Sequence, residues 1–299
     1  MQFQVVSDSS CDLLQTQVEH LQIEIVPFYV SFIEGEYLRE RTEIAVTEFY
    51  AQMETQPQVF PKTAMPTPED YLQAFLPALE AGKDVLCICL NAGFSGSFQA
   101  ACLAKTEAED RFPERKILVV DSCCATAAQG LLVLQAAQYA QAGHSIEETT
   151  ACLEKAKHTG QIYFTTADLR YLKKGGRIGK VIKMAAVALK IKPLMEMRDA
   201  ELHPIGIVRS RKKALQAILE QMEHRFPLAH CPEIGEYIFA VGHGYSKEEG
   251  ENFRVEVVNA LRERGYTQAV ELFQIGATIG VHTGPHPIGF GFVKRFEYV

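Results

Sequence analysis

The sequence predicts an α/β protein with a parallel sheet in its first half and a smaller α/β unit after it. Three observations predict this. The runs Phe3–Ser7, Val85–Leu90 and Ile117–Asp121 are apolar without polar alternation, as strands buried on both faces are. Segments with helical spacing lie between them, the chain order of a parallel sheet covered by helices. Near residue 160 the alternation gives way to a hairpin pattern and longer helices, so the division falls into residues 1–160 and 161–299.

Taken in order, Phe3–Ser7 is a strand and "SDSSCDL" a polar turn. Ile23–Phe32 reads as one apolar strand, and "TEFYAQMET" has helical spacing. Thr67, Pro68 and Asp70 supply an N-cap, a first-turn proline and an acid three residues on, starting a helix that runs to about Ala81 with Gly82 as its stop. Strand Val85–Leu90, a helix to about Phe112, strand Ile117–Asp121 and a helix ending at Gly143 follow. Ser145–His158 reads as a linker helix. "QIYFTTA" is a strand, and "DLRYLKKGGRIGKVIKMAAVALK" a helix, a glycine break and a second helix. A hairpin turns near Asp199-Ala200, and a helix covers Arg211–Phe226. "YIFAVGHG" is a strand, a helix follows it, and two short strands flank the loop "GATIGVHTGPHPIG".

Composition narrows the function. The 299 residues are 47% hydrophobic and 22% charged, with a net charge of −7, which argues against a general nucleic-acid binder. No run of about 18 apolar residues predicts a membrane-spanning helix. The start "MQFQVVSDSS" lacks the pattern of a secretory signal, and the eight cysteines contain no CxxC pair, so reduced thiols and a cytoplasmic location are expected. Ligands of parallel sheets bind at the carboxyl ends of the strands. "NAGFSGS" and "DSCCATAAQ" lie at such ends.

Gly93-Phe94-Ser95-Gly96-Ser97 sits at a strand-to-helix bend, one residue away from a G-x-S-x-G nucleophile elbow. Three readings stand. Ser95 or Ser97 caps the helix. The helix start binds an anion, with the Ser95 hydroxyl as an added donor. Or Ser95 is a nucleophile served by a histidine such as His243 or His282. "KTAMPT" places Thr63 ahead of a proline-bounded helix. "GVHTGPHPIGFGF" holds His282 and Thr283 among glycines and prolines; that setting rules out a helix there, which leaves a two-histidine metal site of His282 and His286 weakly supported. "KKGGRIGK" fails as a phosphate loop, being one residue short with Val181 in place of Ser or Thr. Its charge remains. Arg170, Lys173, Lys174, Arg177, Lys180, Lys183, Lys190 and Lys192 occur with no acid between Asp168 and Glu196, and Arg209, Arg211, Lys212 and Lys213 follow. This is either a positive field for an anionic ligand or acidic partner, or a solvated face.

Together "SDSSCDL", "KTAMPT", "LNAGFSGSFQAA", "VVDSCCATAAQG", "LRYLKKGGRIGK", "LKIKPLMEM", "IGIVRSRKKAL" and "IGATIGVHTGP" resemble, in collinear order over nearly the whole chain, the DegV family of bacterial fatty-acid-binding proteins. Two stretches depart from the family pattern: "AMPT" stands for a "SQPS" type, and "GPHPIGFGF" for "GPGALGLGF". The resemblance implies a DegV-like two-domain fold with a long-chain fatty acid between the domains. It implies a carboxylate held by Thr63, Ser95, the Gly96 N–H and His282, with Thr283 beside it. It also implies a binding subunit with no nucleotide site or cofactor of its own, which presents the acid to a separate ATP-binding fatty-acid kinase. Arg177 and Arg209 would then meet the kinase or the phosphoryl group. Outside the resemblance, a lipid ester hydrolase using Ser95 and an anion-binding regulator remain open.

Overall fold

The computed structural model describes residues 2–167, 169–177, 191–228 and 231–299. The second helix expected after the "GG" break, with Lys180, Lys183 and Lys190, lies outside the described residues, as does Asp168.

The chain begins with β1 (Phe3–Asp8), α1 (Gln15–Leu21) and β2 (Glu24–Val26), then β3 (Tyr29–Ile33) and β4 (Glu36–Arg39). The expected single strand Ile23–Phe32 is therefore two. Proline offers no N–H to a ladder, and at Pro27 the chain leaves one sheet for another: Val26 pairs with Asp8 of β1, whereas Tyr29 pairs with Arg39 of β4. There follow α2 (Val46–Thr55), β5 (Lys62–Ala64), α3 (Pro68–Glu80), β6 (Asp84–Cys89), α4 (Ser97–Arg111) and β7 (Ile117–Asp121). α3 starts as the sequence predicts. The Thr67 hydroxyl accepts the Asp70 N–H, the Asp70 carboxylate accepts the Thr67 N–H, and Gly82 leaves the helix end at φ +74°.

β2, β1, β6 and β7, in that order, form a fully parallel sheet. The chain runs from β1 to one side of it and later returns on the other. The crevice between the carboxyl ends of β1 and β6 is thus a topological switch point, where ligands of such sheets bind. β4, β3 and β5 make a small antiparallel sheet beside it.

α5 (Thr126–Ala142) is buried on nearly all sides, which suits a helix between two layers. It packs on β1 and on two strands of the second half, β11 (Tyr237–His243) and β13 (Ile288–Lys294). Close approach needs Gly130, where a Cβ would lie 2.4 Å from the Cys11 carbonyl. α6 (Ile146–Ala156) packs on α5, and its Ile146, Leu153 and Ala156 belong to the same core, so the expected linker helix is a core helix.

The second half contains β8 (Gln161–Thr165), α7 (Arg170–Lys174), β9 (Lys192–Arg198), β10 (Glu201–Val208), α8 (Arg211–Arg225), α9 (Lys247–Glu263), β12 (Glu271–Gln274) and α10 (Ala277–Thr283). Its sheet runs β10-β9-β8-β13-β11-β12, antiparallel except for β11 with β12. The β9–β10 hairpin turns at Asp199 and Ala200, with φ of 51° and 60°, the left-handed pair of a two-residue hairpin turn. All strands of the first two sheets precede Gly160 and all strands of the third follow it. No helix among the described residues is long and apolar enough to cross a membrane.

Candidate functional site

A cavity of about 1100 Å³, mouth included, lies where these layers meet. Its walls are largely apolar: Phe28, Leu90, Phe164, Met197 and Phe290 come from five different segments. Along α10 and the residue two before it, Ile275, Thr278, Ile279, His282 and Thr283 all face the cavity. They recur at helical spacing, so one face of α10 forms a wall that is polar at its His282 end.

α10 corrects the expectation of a loop there. Two glycines allow it by close approach. A Cβ at Gly276 would lie 2.3 Å from Glu40 Oε1 and 2.9 Å from Asp12 Oδ1, and one at Gly280 would lie 2.9 Å from the Tyr50 hydroxyl. Buried carboxyls supply the acceptors that the helix start needs. Asp12 Oδ1 accepts the Gly276 N–H at 2.9 Å, and Glu40 Oε1 accepts the Thr278 N–H at 3.3 Å. The Ser9 and Thr278 hydroxyls also donate to Glu40. The helix ends at Gly284, φ +80°, so His286 is outside it. His286 pairs with Glu54 at 3.0 Å, apart from His282.

Thr63, Ser95, Gly96, Arg177, His282 and Thr283, all singled out in the sequence, line this cavity. Thr63, on β5, places Oγ1 3.4 Å from His282 Nε2. Ser95 and Gly96, at the start of α4, line the same cavity. No side chain caps α4 at Gly96 itself. Instead Ser95 Oγ accepts the Ser97 N–H at 3.2 Å, so the capping reading of Ser95 describes a bond that is present. That bond has a consequence. Ser95 Oγ is used as an acceptor toward the turn, which leaves its hydrogen for the cavity. Thr283 also lines the cavity, but its hydroxyl lies within hydrogen-bond reach of the Ile279 carbonyl at 3.0 Å, a partner inside its own helix.

The failed phosphate loop has a place here. Gly175 packs its bare Cα face against the imidazole of His282, where a Cβ would lie 2.1 Å from Nδ1. Arg177 donates from Nε to the Phe94 carbonyl at 3.1 Å and from Nη1 to the Gly175 carbonyl at 2.9 Å. It lines the cavity and ties the Ser95 turn to the glycine turn. Burial, helped by the nearby Arg177 charge, pushes the His282 pKa down to about 4, so the ring is neutral at pH 7. Its Nδ1 is buried and has no hydrogen-bond partner among the described residues. An orphaned donor costs more than an unused lone pair, so the proton belongs on Nε2, facing Thr63. Nε2–H then points at Thr63 Oγ1 and leaves the Thr63 hydrogen free.

Arg209, by contrast, is exposed just after β10 and is not part of the cavity wall. Three other described residues of the positive stretch have separate partners. Arg211 pairs with Glu249 at 2.7 Å, Lys192 donates to the Ala167 carbonyl at 2.8 Å, and Lys174 lies over the Phe60 ring. Sequence reasoning gave no role to Asp8, Asp12 or Glu40. The "SDSSCDL" turn, two carboxyls among hydroxyls at a strand end, was the available signal for the first two.

The family model described as "Uncharacterised protein, DegV family" matches residues 2–295. The chain belongs to the DegV family. It is 31% identical over 286 residues to a DegV domain-containing protein of Listeria innocua, covering 95% of this chain and 96% of that one. Its fold is similar to that of a stearic-acid-binding protein from Eubacterium ventriosum, with a TM-score of 0.90, 35% identity and coverage of 99% and 100% of the two chains. It is also similar to a fatty-acid-binding DegV protein from Thermus thermophilus, with a TM-score of 0.85, 29% identity and coverage of 98% and 100%. The two "departure" stretches fall at this DegV site: Met65 of "AMPT" lies against Gly96, and Pro287 of "GPHPIGFGF" lines the cavity.

Proposed function

We propose that this DegV protein binds a long-chain fatty acid in the cavity, between the units divided near residue 160, and presents its carboxylate to a separate ATP-dependent kinase subunit in the cytoplasm. The observation that carries the reading is the polarity of the cavity: largely apolar walls, with Thr63 beside His282 and with Ser95 and Gly96 at the start of α4 lining the same space. Burying about 14 methylenes at about 0.8 kcal/mol each gives an upper bound near 11 kcal/mol. Association costs reduce it, yet the tail still supplies most of the affinity. A buried carboxylate needs donors. Thr63 O–H, Ser95 O–H and the Gly96 N–H supply them, with His282 fixing the Thr63 hydroxyl.

Holding fits this geometry better than nucleophilic attack. Among the described residues no acid partners His282 Nδ1, and His282 Nε2 faces Thr63. A triad needs the opposite arrangement, an acid-oriented imidazole on the serine. The kinase must be another chain because "KKGGRIGK" lacks the spacing and hydroxyl of a phosphate loop. Arg177, at the cavity edge, and Arg209, exposed nearby in sequence to the basic α8 start, are the proposed contacts for the partner or the phosphoryl group.

Denaturing extraction of the purified protein followed by mass spectrometry tests the reading; near-stoichiometric fatty acid is expected. Thr63→Ala, Ser95→Ala and His282→Ala should each weaken binding by about 1–3 kcal/mol. Three variants that bind like the parent would place the carboxylate elsewhere. Ester turnover by the pure protein, abolished in Ser95→Ala, would replace this reading with hydrolysis.

A further inference from the structure

Asp8, at the carboxyl end of β1, is fully buried and forms no part of the cavity wall. Five donor groups nevertheless surround its carboxylate. Oδ2 accepts the Leu90 N–H at 2.8 Å and the Ser97 hydroxyl at 2.9 Å, with the Tyr71 hydroxyl at 3.4 Å. Oδ1 accepts from the Ser10 hydroxyl at 2.5 Å and from Gln129 Nε2 at 2.9 Å. These donors come from the end of β6, the start of α4, α3, the turn after β1, and α5. The carboxylate is therefore the point at which the elements around the switch crevice are fixed to one another.

We propose that Asp8 is a positioning residue for the carboxylate site, acting through Ser97 on the Ser95 hydroxyl; this rests on the fatty-acid reading above. The link is short. Asp8 holds the Ser97 hydroxyl, whose oxygen also lies 2.6 Å from the Tyr71 hydroxyl, and this fixes the first residue of α4. The Ser97 N–H is thereby aimed at Ser95 Oγ, 3.2 Å away. That bond turns the Ser95 hydrogen outward to the ligand. Leu90, held by the same carboxylate oxygen as Ser97, anchors the other end of the turn. Only an acceptor without hydrogens can serve this many donors. An asparagine would turn an NH₂ toward some of them.

The experiment is a double-mutant cycle on delipidated protein titrated with palmitate. Asp8→Asn and Ser97→Ala should each weaken palmitate binding about tenfold, the size of one lost charged hydrogen bond. In a Ser95→Ala background either change should cost less than about twofold more, because the group it orients is gone. In a Thr63→Ala background the full tenfold should remain. A merely structural role would weaken binding equally in both backgrounds, and equal losses overturn the proposal while leaving the fatty-acid reading intact. A parent protein that takes up no palmitate overturns both. Should Asp8→Asn fail to fold, Ser97→Ala decides alone, since it keeps the other donors on Asp8.

Discussion

Two buried carboxyl clusters flank the cavity, and they are satisfied to different degrees. Asp8 gathers hydrogen-bond donors onto both of its oxygens. Burial raises its pKa, and those bonds pull it back. Asp12 and Glu40 clamp the start of α10, and there Asp12 Oδ2 has no close hydrogen-bond partner among the described residues, the Thr126 side chain offering only weak support to the Asp12 carboxyl. Burial, with Glu40 close by, raises the Asp12 pKa well above the usual carboxylate range. The first cluster builds a rigid anchor for the Ser95 turn. The second holds the helix that carries His282 by pressing two carboxyls against a single glycine. The difference teaches that the two sides of the head-group site depend on different things: one carboxylate with donors on both oxygens on one side, and on the other a carboxyl pair that can bond the helix start only because Gly276 leaves room.

The largest expected effect breaks the second side. Gly276→Ala would put a methyl 2.3 Å from Glu40 Oε1 and 2.9 Å from Asp12 Oδ1, both backed by buried structure. A loss of about 3–4 kcal/mol in folding stability is expected, at the upper end for a single overpacked site. Urea midpoints at constant m-value measure it. Gly93→Ala, in the Ser95 turn, meets Asn91 Oδ1 at 3.2 Å and is the milder counterpart. If Gly276→Ala is no worse than Gly93→Ala, the carboxyl clamp is not what holds α10.

This asymmetry also explains what could be read from the sequence. Around Asp8 the elements announce themselves locally: the Thr67–Asp70 capping box, the apolar runs of β6 and β7, and the glycine stops at Gly82 and Gly143. Ser95 and Gly96 follow from a strand–turn–helix pattern. α10 does not announce itself. Its seven residues include Gly280, and its start is stabilised by residues 264 and 238 positions away. Intrinsic propensity predicts a loop there, and tertiary contacts override it. Pro27 was visible, but an apolar run does not reveal that its two ends belong to different sheets. The pairing of Gly175 with His282 required the fold.

A pH titration gives the next largest effect. The His282 pKa falls from the ordinary imidazole value of 6.5 to about 4 on folding. Between those values the unfolded imidazole takes up a proton and the folded one does not. Stability from this group is present above pH 6.5 and is lost as the pH drops toward 4, by about 3 kcal/mol. The buried carboxyls titrate in the opposite sense, so the comparison must be with His282→Gln. The parent's advantage over that variant should shrink on acidification. An advantage independent of pH would mean that the ring is solvated or charged in the folded protein.

Gly175→Ala sharpens the contrast with less damage. The methyl would meet His282 Nδ1 at 2.1 Å, but an imidazole facing a cavity has somewhere to go. Stability should fall by about 1 kcal/mol, and fatty-acid affinity about tenfold as the ring and Thr63 separate. Affinity loss exceeding stability loss identifies a site effect. The reverse order would assign Gly175 to folding alone.

The smallest effect on the pocket is expected from the arginines. Arg177 is exposed, and its bond to the Phe94 carbonyl is worth at most about 1 kcal/mol in water. Arg209 stands outside the cavity wall altogether. Arg177→Ala and Arg209→Ala should therefore leave bound lipid, measured by mass spectrometry, close to the parent's. Kinase-dependent acyl-phosphate formation should slow in both, and the difference should shrink at high salt, where long-range charge is screened. Arg177→Ala carries a second signature. Its charge helps hold the His282 pKa down, so the imidazole should titrate at a higher pH by NMR, whereas Arg209→Ala should leave it unmoved. Loss of lipid from Arg177→Ala would make that residue part of the head-group site, joined to the Ser95 turn through Phe94. Unchanged lipid and unchanged phosphorylation in both variants would reduce the positive surface to a solvated face, leaving the two carboxyl clusters to account for the site without it.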